Sequence, residues 1–193
     1  MRRLLLGSQN NDDNVNDRDM RFRYCPDCGR ELGSCVLGDE GAVPWCDGCG
    51  KPWFPVFPCC VICLVHSANG RVLLLNQNYI STEYMNLVSG YITPGESAEE
   101  CAVREIKEET GLEVVELRPA RTWWFGRKQM LMVGFLAKAD DTQPLVLSGE
   151  VDGARWVDAA TAPGLVHPAG SVSHALAELF LNDNASRPHG AQD

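Results

Sequence analysis

Residues 90–112, GYITPGESAEECAVREIKEETGL, constrain the fold more tightly than any other stretch of this chain. Gly90, Pro94 and Gly95 predict a sharp loop, and Ser97 with Glu100 three residues on predicts a capping box that starts a helix. Gly111 stands where a left-handed C-cap belongs, so a helix over 97–110 is expected. Within it Glu105, Glu108 and Glu109 fall at i, i+3 and i+4 and share one face. Like charges that close destabilise an isolated helix by about 0.2–0.5 kcal/mol per pair. A bound divalent cation reverses the sign of that effect, because hard Mg²⁺ or Mn²⁺ favours carboxylate oxygens. The competing reading is an acidic surface helix with i, i+4 pairs, Glu100 to Arg104 among them.

The segment resembles the Nudix box, G-x5-E-x7-R-E-U-x-E-E-x-G-U with U apolar, and matches it without one departure. Gly90, Glu96, Arg104, Glu105, Ile106, Glu108, Glu109, Gly111 and Leu112 occupy the specified positions. The resemblance implies an α/β fold, the Nudix α/β/α sandwich with a mixed β-sheet.

A second pattern lies upstream. Cys25-x2-Cys28 and Cys46-x2-Cys49 have zinc-ribbon spacing. Gly29 and Gly50 follow the second cysteine of each pair and supply permissive backbone for a tight knuckle. Four thiolates around Zn²⁺ close the coordination sphere, so such a metal is structural. A redox CxxC is the rival reading, disfavoured by two matched pairs. Cys59, Cys60, Cys63 and Cys101 read as small buried hydrophobes, and Cys35 as one thiol too many for a four-ligand site.

With 193 residues the chain has room for one domain of about 130 residues plus a small module. Residues 1–19 read as a disordered leader, with Met20 as the expected native start. The zinc ribbon is assigned to 20–54, the Nudix domain to 55–183 and a disordered tail to 184–193. Apolar runs at 56–66 and 71–77 predict strands joined by a Ser67–Gly70 hairpin turn, and further strands are expected at 86–92, 113–125, 128–138 and 154–157. A last helix, 171–182, places Val172, Leu176, Leu179 and Phe180 on one face. The net charge of −9 argues against broad attraction to nucleic acid or anionic lipid. No apolar run approaches the roughly 20 residues of a membrane span, and MRRLLLGSQ is too short for a signal-peptide core, so a cytoplasmic location is expected.

The box resemblance implies metal-dependent hydrolysis of a pyrophosphate. Glu105, Glu108 and Glu109 are then the catalytic, metal-binding carboxylates, joined by the backbone carbonyl of Ser89. The general base is left open among the three. Arg104 and Glu96 pair to brace the loop on the helix. Relatives recruit one more glutamate from outside the box, and Glu150 stands where it is expected, with Asp152 as the alternative.

A zinc ribbon directly before a Nudix box resembles the NADH pyrophosphatase family more narrowly, from about Tyr24 to Leu181. HPAGSVSHALAELFL resembles that family's last helix, which brings in Ser173 as a substrate contact, and ARW before Val157-Asp158 also fits. The implied reaction cleaves NAD(H) to nicotinamide mononucleotide and AMP, with catalytic Mg²⁺ or Mn²⁺, structural Zn²⁺ and a homodimer. Two departures touch the substrate. The family's S-Q-P-W-P-F-P-like run aligns with Thr122–Gln129, where the prolines are gone, and Tyr-Pro-Arg becomes Phe54-Pro55-Val56. Phe54, Trp123, Trp124, Phe125 and Gln129 remain the candidate substrate contacts. Trp123 and Phe125 point one way along a strand and Trp124 the other, one side core and one side pocket. Arg127 and Lys128 are either phosphate contacts or turn surface, and His167 and His174 read as packing or capping residues. ADP-ribose or FAD hydrolysis and removal of an NAD cap from RNA are the alternative reactions. A non-catalytic nucleotide sensor and a zinc-ribbon nucleic-acid adaptor are the alternatives from other classes.

Overall fold

A computed structural model describes residues 22–185, with side chains described through Asp183. The readings made for residues 1–19 and for 186–193 lie outside the described residues. Two units are distinguished. The first comprises residues up to Phe57 together with Gly126–Gln129, and the second comprises Pro58–Phe125 and the chain from Met130 onward.

The first unit is a three-stranded antiparallel sheet of β1 (Gly33–Val36), β2 (Ala42–Cys46) and β3 (Lys51–Pro52). Two knuckles flank it. The Gly29 N–H donates to Cys25 O at 2.8 Å and the Gly50 N–H to Cys46 O at 2.8 Å, with both glycines in the left-handed region at φ 73° and 65°. Those turns carry Cys25, Cys28, Cys46 and Cys49 to one place. Its fully buried apolar side chains are Cys25, Val43 and Cys46 among the described residues, too few for a self-sufficient core.

The second unit is a six-stranded mixed sheet in the order β7-β8-β4-β5-β9, with β6 paired to β4. These strands are β4 (Cys59–His66), β5 (Arg71–Asn76), β6 (Val88–Tyr91), β7 (Val114–Phe125), β8 (Met130–Ala139) and β9 (Gly153–Asp158). Among these strands only β4 and β8 pair in parallel. The predicted hairpin turn closes with the Ser67 N–H on Arg71 O at 2.9 Å, and Gly70 takes φ 74°. Strand β4 is buried on both faces and its residues alternate between two cores. Cys60, Ile62 and Leu64 pack toward Leu176, Ala177 and Phe180 of α3 (Val172–Ala185). Val61, Cys63 and Val65 pack with Cys101, Ala102 and Ile106 of α1 (Ala98–Thr110). The sheet is therefore sandwiched between α1 on one face and α3, with the short α2 (Ala162–Leu165), on the other.

Element ends differ from the sequence reading in small ways with local causes. Gly126–Lys128 forms a single 3-10 turn between β7 and β8. Helix α3 runs to Ala185 instead of stopping at 182, and Ser171 caps its start by accepting the His174 N–H at 3.1 Å. Cys60, Cys63 and Cys101 are buried in the cores as expected of small hydrophobes. No helix among the described residues is long and apolar enough to cross a membrane.

Candidate metal centres and active site

Helix α1 starts with the reciprocal capping box. The Glu100 N–H donates to Ser97 Oγ at 3.2 Å and the Ser97 N–H to Glu100 Oε2 at 2.7 Å. It ends at Gly111, φ 74°, where a Cβ would stand 2.8 Å from Val146 Cβ. Gly95 turns the loop ahead of it at φ 98°.

Arg104 ties loop, strand and helix together. Its guanidinium donates to Glu96 at 2.8 and 3.1 Å, to Glu105 at 2.7 Å, to Glu108 at 3.1 Å and to the Tyr91 carbonyl at 3.2 Å. Glu96 also accepts the Thr93 N–H at 2.7 Å, and the Arg104 bond with this one holds its carboxyl down at about 2. Glu105 lies against bare backbone: a Cβ on Gly90 would sit 1.9 Å from its carboxyl carbon and 2.0 Å from Oε1. Ser89 precedes Gly90 in β6, opposite Ile62 of β4. Burial raises the Glu105 carboxyl above its ordinary range, with Arg104 pulling the other way.

Glu109 is the most enclosed of the three box glutamates, 5% exposed. Burial, followed by the charge of Glu105, pushes its carboxyl up to about 8. Its Oε1 accepts the Gln77 amide at 3.3 Å, while Oε2 is buried without a partner. The segment 145–151 is strapped to this end of the helix by the Val146 N–H on Thr110 O at 2.9 Å and the Ser148 N–H on Glu109 O at 3.4 Å. That places Glu150 close enough for its charge to raise Glu109 as well. Asp152 is committed elsewhere: its Oδ2 accepts the Asn78 N–H at 2.7 Å and its own N–H donates to Asn76 O at 2.9 Å. It holds the Glu150 segment to the exit of β5.

A hard divalent cation fits this donor set. Glu109 offers an unpartnered buried oxygen beside Glu105, Glu108 and Glu150, and the Gly90 backbone leaves the space that the Glu105 carboxylate fills. The carboxylates do not converge as tightly as the thiols of the first unit, because Arg104 holds Glu105 and Glu108 to its own edge. The four Sγ atoms of Cys25, Cys28, Cys46 and Cys49 lie within 4.8 Å of one another, with Cys28–Cys46 at 3.5 Å and Cys25–Cys49 at 3.8 Å. Burial works to raise the Cys25 thiol, but the backbone N–H groups of Cys28 and Asp27 and the neighbouring thiols hold it at about 6. Hydrogen bonding with Cys28, Cys46 and Cys25 pushes Cys49 up to about 12. A second thiolate is thus resisted by the first, which is the charge problem a tetrahedral dication resolves. Cys35 lies apart, donating to Val36 O at 3.6 Å.

The candidate substrate contacts fall in both units. Trp123 and Phe125 pack on the α3-side core, so that face of β7 is core. Trp124 points the other way and is 36% exposed. Phe54 and Gln129 belong to the first unit, Phe54 exposed and Gln129 at φ 49°. Ser173 sits in the first turn of α3. His167 packs on the Tyr84 ring at 5.1 Å, a local contact, and the His174 backbone is the group capped by Ser171. Gln77 and Tyr79, which border Glu109, escaped the sequence reading. The one available signal was Gln77 itself, a second polar residue directly after Asn76 at the end of the apolar run RVLLLN.

Two outcomes are expected. Gly90→Ala displaces the Glu105 carboxylate and weakens divalent-ion binding by about 10–100-fold, measured with Mn²⁺ by electron paramagnetic resonance, at an unchanged far-ultraviolet circular dichroism spectrum. The second concerns pH. Because folding raises Glu109 from 4.5 to about 8, its protonated form stabilises the native state at low pH, and that contribution is lost as pH rises through about 8. In chelator the melting temperature therefore falls from pH 6 to pH 9. Glu109→Gln or saturating Mg²⁺ flattens the decline, the cation by favouring the ionised form.

The NUDIX domain model matches residues 57–176. The NAD-capped RNA hydrolase NudC of Chromobacterium violaceum is 33% identical over 157 residues, 80% of this chain and 56% of the relative. The NAD-capped RNA hydrolase NudC of Vibrio atlanticus is 29% identical over 165 residues, 84% of this chain and 58% of the relative. The chain thus spans less than two thirds of the length of these relatives. A crystal structure of a NUDIX hydrolase from Nitrosomonas europaea superposes with a TM-score of 0.65 at 19% identity, covering 86% of this chain and 95% of that one, which supports the same fold. With a family model matching well over half of its length and the box glutamates gathered at one end of α1, this chain belongs to the Nudix family.

Proposed function

We propose that this protein hydrolyses the pyrophosphate bond of NAD(H), or of a closely related nucleoside-diphosphate-linked compound, with Mg²⁺ or Mn²⁺ at Glu105, Glu108, Glu109, Glu150 and the Ser89 carbonyl. The observation that carries the proposal is Glu109, a buried carboxylate with one oxygen tied down and the other unpartnered, beside Glu105 on the bare Gly90 backbone. Divalent ions held there would neutralise phosphate oxygens and lower the pKa of a water. The chain's own side chains do the rest. Arg104 fixes Glu105 and Glu108 on one edge and anchors the loop through Glu96, so the carboxylates need little reorganisation when an anionic substrate arrives. The glutamate that accepts the water's proton is one of Glu105, Glu108 and Glu109.

NAD(H) as substrate is supported by relatives named NAD-capped RNA hydrolase, together with the ribbon-then-box order. The same names support a second reading, hydrolysis of the same bond where NAD caps an RNA. ADP-ribose and FAD stay in the panel because the family's proline-aromatic run is absent between Thr122 and Gln129. Phe54, Trp123, Trp124, Phe125, Gln129 and Ser173 are the proposed substrate contacts, Arg104 and Glu96 the supports of the catalytic loop, and a cytoplasmic homodimer the assembly. Zn²⁺ at Cys25, Cys28, Cys46 and Cys49 is proposed as the structural metal.

Purified protein with Mg²⁺ or Mn²⁺ should release AMP from NADH or NAD⁺ faster than from ADP-ribose, FAD or nucleoside triphosphates. NAD-capped RNA decides whether the capped transcript is the better substrate. Glu109→Gln should lower kcat by about 10²–10³-fold. Full turnover by that variant would remove Glu109 from the site, and no turnover of any compound with metal bound would end the enzyme reading. Elemental analysis should find one zinc per chain, lost in Cys46→Ser.

A further inference from the structure

Gln77 follows the last residue of β5 and is 1% exposed. A buried amide is costly unless its polar atoms are used. Its Nε2 uses both of its hydrogens on Glu109 Oε1, at 3.3 Å, and the Tyr79 hydroxyl, at 3.5 Å, while its own Oε1 is buried without a partner. With Glu109 ionised, as a metal ligand must be, this is the orientation the amide requires, since the flipped rotamer would set a carbonyl oxygen against a carboxylate oxygen. The backbone around it is pinned. Gln77 O accepts the N–H groups of Ile80 at 2.8 Å and Ser81 at 3.0 Å, and its neighbours Asn76 and Asn78 are both bonded to Asp152.

We propose that Gln77 is a positioning residue that aims Glu109 at its cation. The inference rests on the reading of Glu109 as a metal ligand. By holding Oε1 from the sheet side, the amide leaves Oε2 as the free oxygen and removes the side chain's remaining freedom to rotate. A neutral donor suits this task. A lysine or arginine in its place would supply a rival positive charge at Glu109, which lies outside the ion pairs of Arg104 with Glu96, Glu105 and Glu108. Tyr79, 67% exposed, accepts the second amide hydrogen at 3.5 Å and keeps the group from turning.

The test is Gln77→Met, which keeps length and volume and removes the donor, read by Mn²⁺ binding in electron paramagnetic resonance and by thermal melting in chelator. Mn²⁺ affinity should fall by about tenfold, the lower end for losing a group that orients a metal ligand. The melting temperature should hold, because an unpaired buried carbonyl is removed with the donor. Lower melting with wild-type Mn²⁺ affinity would mean that Gln77 only fills space, and would overturn the inference. Gln77→Leu serves the same comparison if the methionine variant does not fold. Glu109→Gln is the control. If it weakens Mn²⁺ binding and the Gln77 variants do not, the Gln77 inference alone falls. If it leaves Mn²⁺ binding intact, the ligand reading of Glu109 falls and takes this inference with it.

Discussion

One guanidinium organises the glutamate-bearing end of this fold. Arg104 meets three carboxylates and a strand carbonyl, so the loop carrying Glu96, the edge of β6 and the exposed face of α1 share a single cation. Isolated surface ion pairs contribute little, usually below about 1 kcal/mol, because each long side chain must be ordered for one weak contact. Here the ordering cost is met once and distributed over four partners. The consequence is directional. Glu105 and Glu108 are drawn to one side, and Glu109, the residue after Glu108, is left to a neutral amide.

At Glu109 local stability and the proposed function oppose each other. It lies in the last turn of α1, near the negative end of the helix, buried, and beside other carboxylates. Every one of those terms disfavours its ionised form. An apolar residue would stabilise the apo fold at that position, so the carboxylate is explained by what it can bind. Proteins break local rules of this kind at functional sites and are held together by the rest of the structure. The rest here is substantial: β4 is buried on both faces, and α1 closes one core through Cys101, Ala102 and Ile106.

How much of this was legible beforehand follows from the range of each interaction. The helix limits, the capping box and the common face of the glutamates depend on residues within four positions of one another, and they appear in the structure as read. The cysteine knuckles are equally local. Gln77 was invisible because its partner lies 32 residues away and only the strand-to-helix packing brings them together. Asp152 could not be told from Glu150 by spacing. Its bonds to Asn76 and Asn78 depend on β9 pairing with β5, a contact some 75 residues long in sequence. The period-2 argument separated Trp124 from Trp123 and Phe125, but only the position of α3 says which side is core.

Charge carries the synthesis one step further. The chain bears a net charge of −9, and within the site Glu96, Glu105 and Glu108 share Arg104 while the charges of Glu105, Glu150 and Glu108 bear on Glu109. A pyrophosphate is itself anionic, so the uncompensated site would repel it. Hard cations on the carboxylates would reverse the local field, and under the proposed function metal binding would then be a condition for substrate binding as well as for chemistry. The same logic separates the two metals. Clustered thiolates favour a soft or borderline ion such as Zn²⁺, whereas carboxylates and a carbonyl favour Mg²⁺ or Mn²⁺. One chain can therefore hold a permanent metal in place of a core and exchangeable metals in place of positive side chains, with donor chemistry keeping the two populations apart.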